Sequence, residues 1–356
     1  MKQNFVFYLH STAGLVSGIF FLLLSLSGAV LVFHSQIDAV QLPAVVSGNP
    51  KRASVDSCYH LVRQAYPAAQ VSNCRLPENS NSPVSFVIYD PSYKSGKAAM
   101  EVFVDPRTAA IFKTRGNDSQ FTSRLSTFHS SLFLGKTGEW LLGFFALVFL
   151  LSLGTGLILF WKNIAAVLLF RRSAYKTNNL HQLIGVYALL FNLLMAGTGF
   201  WMQRYVFKKE FYAVDLYTPV LKKSPALPFN FEEAYKTVKK TYPDFTAQVI
   251  YFAQSNAGKT AVYGSRSSNA YIHSKKFADA IFLDSAGVIA KTRFVNEISA
   301  DDRYDIINSQ LHMGRFGGAG IRLIYFVFGL TGALLSISGF LLWMRRSKDK
   351  KLPGRR

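Results

Sequence analysis

The chain has 356 residues, a formal net charge of +20, 50% hydrophobic residues and 15% aromatic residues. This composition excludes an intrinsically disordered protein, a collagen-like repeat and a small disulfide-stabilised domain. In a soluble protein the charge would suggest nucleic-acid binding. Here the apolar residues are gathered into long runs, which indicates a protein of the lipid bilayer with no nucleic-acid partner.

Four apolar stretches are long enough to cross the hydrocarbon layer of a bilayer, which is about 30 Å thick. They are residues 13–33, 140–161, 183–201 and 321–343. The first follows Lys2 as a signal peptide would, but it is longer than an ordinary signal segment and lacks a small-residue cleavage site. The sequence therefore predicts an integral membrane protein with four transmembrane helices, the first of which is retained.

Basic residues are concentrated beside these stretches rather than in the long polar segments. The amino-terminal residues, the loop at 162–177 and the tail at 345–356 together hold twelve basic residues and one acidic residue, whereas the long segments are nearly balanced. By the positive-inside rule, we expect both termini in the cytoplasm and the long segments in the periplasm of a bacterial inner-membrane protein. The predicted parts are the first transmembrane helix (1–33), a periplasmic lobe (34–125), an outer-face histidine segment with the second transmembrane helix (126–161), a cytoplasmic loop (162–177), the third transmembrane helix (178–201), a second periplasmic lobe (202–308), an outer-face histidine segment with the fourth transmembrane helix (309–344) and a basic cytoplasmic tail (345–356).

The two halves of the chain repeat one pattern. His10, near the first apolar stretch, corresponds to His181 near the third, and a glycine follows each of them four residues later. His129, before the second apolar stretch, likewise corresponds to His312 before the fourth. Each half is therefore predicted to consist of a span, a lobe and a second span, produced by an internal duplication.

Each lobe is predicted to contain a helix followed by strands. The helical patterns end before Tyr66-Pro67 in the first lobe and before Tyr242-Pro243 in the second. Alternating apolar residues then predict strands. These strands are 84–89, 101–105 and 111–112 in the first lobe, and 260–263 and 280–284 in the second. The predicted fold class is four transmembrane α-helices with two α+β lobes.

The only two cysteines of the chain, Cys58 and Cys74, both lie in the first lobe. A periplasmic location permits a disulfide between them, and two buried thiols are the alternative. Neither cysteine belongs to a C-x-x-C-H sequence, which attaches c-type haem covalently. Any haem in this protein is therefore expected to be held without covalent bonds to the chain.

Four of the seven histidines lie at or just before a predicted span, at positions that the duplication repeats. The predicted topology places His10 and His181 at the cytoplasmic face, and His129 and His312 at the outer face. An ionisable side chain at membrane depth is by default a functional candidate. Two facing imidazoles supply both axial ligands of a six-coordinate haem iron, so the sequence predicts two haem b groups, one held by each pair.

Alternatives to this interpretation remain. His34 can replace His129 as the outer ligand, although only the surroundings of His129 are repeated in the second half. A closed zinc site is disfavoured because no further ligands repeat beside the pairs, and a proton relay because the span interiors contain no acidic residue. The histidines can also be ordinary interfacial residues, as we expect of His60 and His273 in the lobes.

Small and basic residues accompany both predicted pairs. Several glycines would allow the helices to approach a flat macrocycle closely, and helix packing alone is the alternative role. They are Gly14, Gly18 and Gly185 near the inner pair and Gly135, Gly138, Gly317 and Gly318 near the outer pair. Arg315 and Arg322 lie where haem propionates would point, with lipid headgroups as the alternative partners.

The chain resembles the PepSY-associated transmembrane proteins, a family that includes bacterial inner-membrane ferric-siderophore reductases. The resemblance rests on Leu9-His10 with Gly14 and Ser27-Gly28, on Val104-Asp105-Pro106-Arg107-Thr108, on His129 with Gly135, on Leu180-His181 with Gly185, and on Leu311-His312 through Ser338-Gly339 to Trp343-Met344-Arg345-Arg346. It implies a di-haem protein that passes electrons outward to a periplasmic iron(III) complex. Its implied haem ligands are His10, His129, His181 and His312.

The leading hypothesis is a ferric-chelate reductase, an oxidoreductase that delivers electrons to a ferric siderophore or another iron(III) complex held between the lobes. The sequence has no nucleotide-binding motif, so an outside donor, a quinol or a cytoplasmic reductase, is required. One alternative is a haem-free membrane protein whose lobes bind an envelope peptidase or another partner. Another is a di-haem conduit to copper, a quinone or a different redox protein.

Overall fold

The computed structural model describes residues 2–41, 53–77, 82–94, 99–171, 179–208, 227–255, 258–268 and 277–351. The helices are α1 (Lys2–Leu31), α2 (His34–Val40), α3 (Val55–Ala65), α4 (Phe121–Ser131), α5 (Gly135–Leu168), α6 (Leu180–Tyr187), α7 (Leu189–Gln203), α8 (Phe231–Thr241), α9 (Ala300–Met313) and α10 (Gly318–Lys351). The strands are β1 (Gln70–Arg75), β2 (Val84–Tyr89), β3 (Met100–Asp105), β4 (Ala110–Gly116), β5 (Phe245–Tyr251), β6 (Thr260–Arg266), β7 (Asp279–Leu283) and β8 (Ile289–Arg293). His273 and part of the predicted 162–177 loop lie outside the described residues.

Three helices of the described chain are long and apolar enough to cross a membrane, which makes this a membrane protein. They are Asn4–Leu31 within α1, Gly135–Leu168 and Gly318–Ser347 within α10. The predicted third span is not one straight helix, because α6 and the helical segment Leu189–Phe207 meet at a bend of 65°. The count of spans is therefore three, or four if the bent pair crosses as one.

The short helix α6 is held against the end of α5. Val186 packs on Val167, and the Tyr187 hydroxyl donates a hydrogen bond to the Val167 carbonyl at 3.0 Å. These contacts fix α6 on one side of the bend, while α7 continues from Leu189 on the other. The predicted stretch 183–201 was correct in composition, but tertiary contacts interrupt it at Ala188.

The histidine-bearing segments also differ from their predicted positions. His10 lies inside α1, because that helix begins at Lys2. His129 and His312 lie on α4 and α9, separate helices that precede the long apolar ones. α4 ends at Leu132 and α9 at Gly314, both in left-handed backbone conformation with φ of 53° and 62°. Each of these turns ends the histidine helix and lets the chain change direction before the next span.

All eight strands form one antiparallel sheet in the order β4-β3-β2-β1-β5-β6-β7-β8. The strands of the two predicted lobes are therefore the two halves of a single sheet. The halves join where β1 pairs with β5, with Cys74 opposite Ile250. Because the order of the strands reads symmetrically outward from this pair, the duplication appears as a two-fold arrangement about the middle of the sheet.

Backbone bulges strengthen the junction between the halves. β1 has an irregularity at Ser72 and β5 has one at Gln248. The carbonyl of each bulged residue accepts a hydrogen bond from the other half: Phe252 N donates to Ser72 at 3.1 Å and Leu76 N to Gln248 at 2.9 Å. The two halves are thus joined directly at β1 and β5, and the place of an acceptor stays a prediction.

Helices α3 and α8 cover one face of the sheet and share a hydrophobic core with both halves. Each helix start is capped from the other half. The Asp56 carboxylate accepts from the backbone N–H groups of Phe231 and Glu232 at 2.8 and 3.1 Å. The Glu232 carboxylate accepts from Val55 N at 3.0 Å. These reciprocal bonds neutralise the unpaired N–H groups and the positive end of each helix.

Both cysteines lie in this core as free, buried thiols. Burial, together with the nearby carboxylates of Glu232 and Asp105, raises the pKa of the Cys58 thiol to about 11. At neutral pH almost none of this thiol is ionised. Since the thiolate is the reactive form, neither cysteine is exposed to thiol chemistry in the folded chain.

We expect Cys58 and Cys74 to react with a thiol reagent only after unfolding. In the native protein in detergent, Ellman's reagent should detect close to no thiol, because both side chains are buried. In denaturant without reductant it should detect two per chain. A count of none in denaturant, rising to two after reduction, would instead show the disulfide.

Candidate functional site

The four histidines that the duplication repeats meet as two pairs in the helical bundle. The sheet-distal pair consists of His10 on α1 and His181 on α6, with ring centres 6.3 Å apart. The sheet-proximal pair consists of His129 on α4 and His312 on α9, also with ring centres 6.3 Å apart. α4 and α9 follow the edge strands of the sheet, which places the second pair at the sheet side of the bundle.

The separation of the rings matches two imidazoles on opposite sides of one metal ion. An imidazole nitrogen lies about 2 Å from a bound metal, and the ring centre about 1 Å beyond it, so the two centres are about 6 Å apart. The ring planes are inclined by 69° in the sheet-distal pair and by 49° in the sheet-proximal pair. Within the described residues, no group of three or more His, Cys, Asp or Glu gathers at either place.

Each histidine makes a hydrogen bond through Nδ1 to the opposing helix. The partners are the Ser152 carbonyl for His10 (2.9 Å), Ser27 Oγ for His129 (2.8 Å), Ser338 Oγ for His181 (3.0 Å) and Thr198 Oγ1 for His312 (2.9 Å). These bonds orient the four rings, and the other ring nitrogen, Nε2, remains to bind a metal. A metal-bound histidine is commonly oriented in this way by a hydrogen bond through its second nitrogen.

A glycine lies directly under each histidine ring. A Cβ atom built on these glycines would lie 3.0 Å from His129 Cε1 at Gly28, 3.0 Å from His10 Cε1 at Gly156, 3.3 Å from His312 Cε1 at Gly199 and 3.2 Å from His181 Cε1 at Gly339. A real side chain at any of the four would push the ring away. The absence of a side chain thus lets each imidazole lie against the backbone of the neighbouring helix.

The glycines expected to serve the sites are in other places. Gly14 and Gly185 contact Ser152 and Leu335, and a Cβ on Gly138 would overlap the Ser131 carbonyl. Sequence reasoning assigned no contact with a histidine to any of the four glycines that lie under the rings. The signal was present, because each span contains a hydroxyl residue followed by glycine. These pairs are Ser27-Gly28, Thr155-Gly156, Thr198-Gly199 and Ser338-Gly339.

Two of the histidines lie on helices outside the candidate spans. Burial lowers the pKa of His129 to about 4 and that of His312 to about 4. Both imidazoles are therefore neutral at physiological pH, since that pH lies well above these values. A neutral imidazole is the form that binds a metal through a ring nitrogen.

His34 lies apart from the sheet-proximal pair. It is exposed at the start of α2, and its Nδ1 bonds to the Leu31 carbonyl at 3.0 Å. The ring that faces His312 is that of His129. The geometry thus favours His129 over His34 as the partner of His312.

The two arginines expected near the outer pair have different surroundings. Arg315 lies over the Phe277 ring at 5.3 Å, and burial lowers its pKa. Arg322 has a buried Nε with no hydrogen-bond partner. One turn further along α10, the Tyr325 hydroxyl donates to the Leu311 carbonyl, next to His312. A buried guanidinium N–H without a partner fits an anionic group such as a haem propionate.

The sheet face opposite α3 and α8 is basic and aromatic. Strand alternation and register place these side chains on it: Arg75, Lys113, Arg115, Lys291 and Arg293, with Tyr251, Tyr263 and Phe282, and the carboxylates of Glu101 and Asp105. Lys113 Nζ donates to the Gln41 carbonyl at 2.7 Å, just after α2. This contact joins the helix-free face to the residue that follows α2.

Comparison with known proteins gives one family. The model described as the PepSY-associated TM region matches residues 7–346, which is nearly the whole chain. A search of curated proteins returns no match. The matched range includes all four paired histidines and their serine, threonine and glycine partners.

Proposed function

The chain belongs to the PepSY-associated transmembrane family, and from this premise we propose that it is a di-haem b reductase that moves electrons across a bacterial inner membrane to a periplasmic iron(III) chelate. The observation that carries the proposal is the pair of matched imidazole sites, each with ring centres 6.3 Å apart. When bound, haem b supplies a one-electron carrier that alternates between iron(III) and iron(II).

The residues fit this cofactor at both sites. His10 with His181, and His129 with His312, would hold the haem iron through Nε2. Glycines keep the space beside each ring free of side chains. Arg322, with its unpartnered Nε, would hold a propionate at the sheet-proximal site. The two sites lie toward opposite ends of α1, since His10 and Gly28 are separated by about 27 Å of helical rise.

The proposed direction of electron flow follows from the expected topology. Basic residues concentrate on the side of the sheet-distal pair, which indicates that this pair lies near the cytoplasm, where a quinol or a cytoplasmic reductase would donate. The sheet would then lie in the periplasm. An anionic ferric chelate would be attracted to the basic sheet face. Reduction aids release because iron(II) binds hard, anionic oxygen ligands more weakly than iron(III).

The experiment that tests the proposal is a haem count on the full chain purified in detergent from cells supplied with haem. A pyridine haemochrome assay should give close to two haem b per chain, with the sharp reduced bands of low-spin, six-coordinate iron. Stopped-flow reoxidation of the dithionite-reduced protein by a ferric chelate should then be fast. A folded protein without haem would contradict the proposal and would favour a protein whose lobes bind a partner. Two haems that no iron(III) complex reoxidises would point to another acceptor.

Charge reversal on the basic sheet face should slow reoxidation by an anionic chelate. We expect Lys291→Glu to lower the rate with ferric citrate several-fold at low salt, and the difference to disappear at high salt, because the attraction is screened. Lys240→Glu makes the same charge change on α8, on the other side of the sheet, and should leave the rate near that of the unmodified protein. Equal effects of the two variants would contradict a role for the face.

A further inference from the structure

The hydroxyl groups that contact the histidines donate their own protons to other acceptors. Each of them donates to a backbone carbonyl one turn earlier in its own helix: Ser27 to Leu23 (2.8 Å), Thr198 to Leu194 (2.6 Å) and Ser338 to Leu334 (2.6 Å). A hydroxyl has a single proton, so these oxygens act toward the imidazole only as acceptors. The hydrogen in each of these three contacts therefore comes from the histidine.

The fourth histidine, His10, also donates from Nδ1, but to a backbone carbonyl instead of a hydroxyl. His10 Nδ1 lies 2.9 Å from the carbonyl oxygen of Ser152, which can only accept. Thr155, the hydroxyl residue of this span, lies further from the ring, at 3.4 Å, and donates to the same Ser152 carbonyl at 2.9 Å. Here too the proton between ring and helix belongs to Nδ1.

From these four contacts we infer that the hydroxyl–glycine pairs of the spans set the ring tautomer of the histidines, with hydrogen on Nδ1 and the lone pair on Nε2. Ser27, Thr198 and Ser338 are the positioning residues, and at the fourth place the Ser152 carbonyl acts beside Thr155. The glycine of each pair brings the ring close enough for the bond. This inference rests on the proposed function only for the statement that the lone pair serves a haem.

The tautomer has a consequence for the redox potential of a bound haem. An imidazole that donates from Nδ1 to a fixed acceptor is a more basic ligand at Nε2. A more basic ligand favours iron(III) over iron(II) and so lowers the potential. Removing the acceptor should therefore raise the potential of the site that loses it and leave the other site unchanged.

The test uses Thr198, because valine matches the shape of threonine without the hydroxyl and serine retains the hydroxyl without the methyl group. In redox titrations of the full chain in detergent, Thr198→Val should weaken the preference for iron(III) about tenfold at one haem, since changes at such partners cost roughly 10- to 100-fold in metal affinity. For a one-electron couple this raises the midpoint by about 59 mV. Thr198→Ser should keep the original midpoint. Unchanged midpoints in Thr198→Val, with both haems retained, would overturn the inference.

A second measurement separates this inference from the proposed function. ¹⁵N spectra of the full chain carrying labelled histidine distinguish hydrogen on Nδ1 from hydrogen on Nε2, and the His312 signals are those missing from His312→Gln. In haem-free protein His312 should carry its hydrogen on Nδ1, and Thr198→Val should shift the population toward the other tautomer. Hydrogen on Nε2 in the unmodified chain would overturn the inference, whereas a protein that takes up no haem would overturn only the proposed function.

Discussion

An alanine in place of His312 is expected to leave the purified protein with one low-spin haem per chain instead of two. His312 is one of only two imidazoles that face each other at the sheet-proximal site, and the structure brings no third histidine against them within the described residues. Without His312, only one imidazole would remain at this site to hold a haem iron. The sheet-distal pair is untouched, because His10 and His181 belong to other helices.

The remaining haem identifies which site was lost. His129→Ala should give the same single midpoint as His312→Ala, whereas His10→Ala and His181→Ala should retain the other haem, with a different midpoint. His34→Ala and His60→Ala are controls, since both side chains are exposed and neither ring faces a paired histidine. Two low-spin haems in His312→Ala would show that the pairing is wrong, and loss of one in His34→Ala would reassign the outer ligand.

The fold was predictable wherever the local pattern agreed with the final structure. The helices before Tyr66 and Tyr242 end where they were expected, because Pro67 and Pro243 cannot continue them. β2 and β7 are rich in apolar residues, and both strands were found within one residue of their predicted ends. These elements depend on short-range signals that a sequence displays directly.

The two central strands were missed for a physical reason. β1 and β5 carry bulges at Ser72 and Gln248, which break the two-residue alternation on which strand prediction depends. They are also the strands that join the halves, so their loss made one sheet appear as two lobes. Pairing between residues as distant as Cys74 and Ile250 is a tertiary fact that no local pattern contains.

The candidate site was predictable in its histidines but not in their supports. Internal duplication made His10, His129, His181 and His312 stand out, and the structure brings them together as the two predicted pairs. Their partners lie on other helices, 102 to 157 residues away in the chain. Only the helix packing determines which hydroxyl–glycine pair meets which ring.

Valine in place of Gly156 is expected to remove the sheet-distal haem and to leave the sheet-proximal one. A Cβ at this position would lie 3.0 Å from His10 Cε1 and 3.3 Å from Nδ1, and valine adds two methyl groups beyond it. The ring must then leave the Ser152 carbonyl, which orients it. Overpacking of this kind costs about 1–3 kcal/mol, which corresponds to roughly 5- to 150-fold weaker binding. The measurement is the haem count and the midpoint of the haem that remains.

The matched control is Gly154→Val, two residues earlier on α5. A Cβ there would have no heavy atom within 4 Å, and a step of two residues turns it by about 200° around the helix, away from His10. Both variants make the same substitution in the same helix, so a difference between them reports the contact with the ring rather than the helix itself. The second half of the chain repeats the comparison, because Gly199→Val should remove the other haem and Gly197→Val should retain both. The reversed result would be loss of haem in Gly154→Val and its retention in Gly156→Val. It would show that the macrocycle lies on the opposite side of α5. Gly156 would then serve helix packing alone.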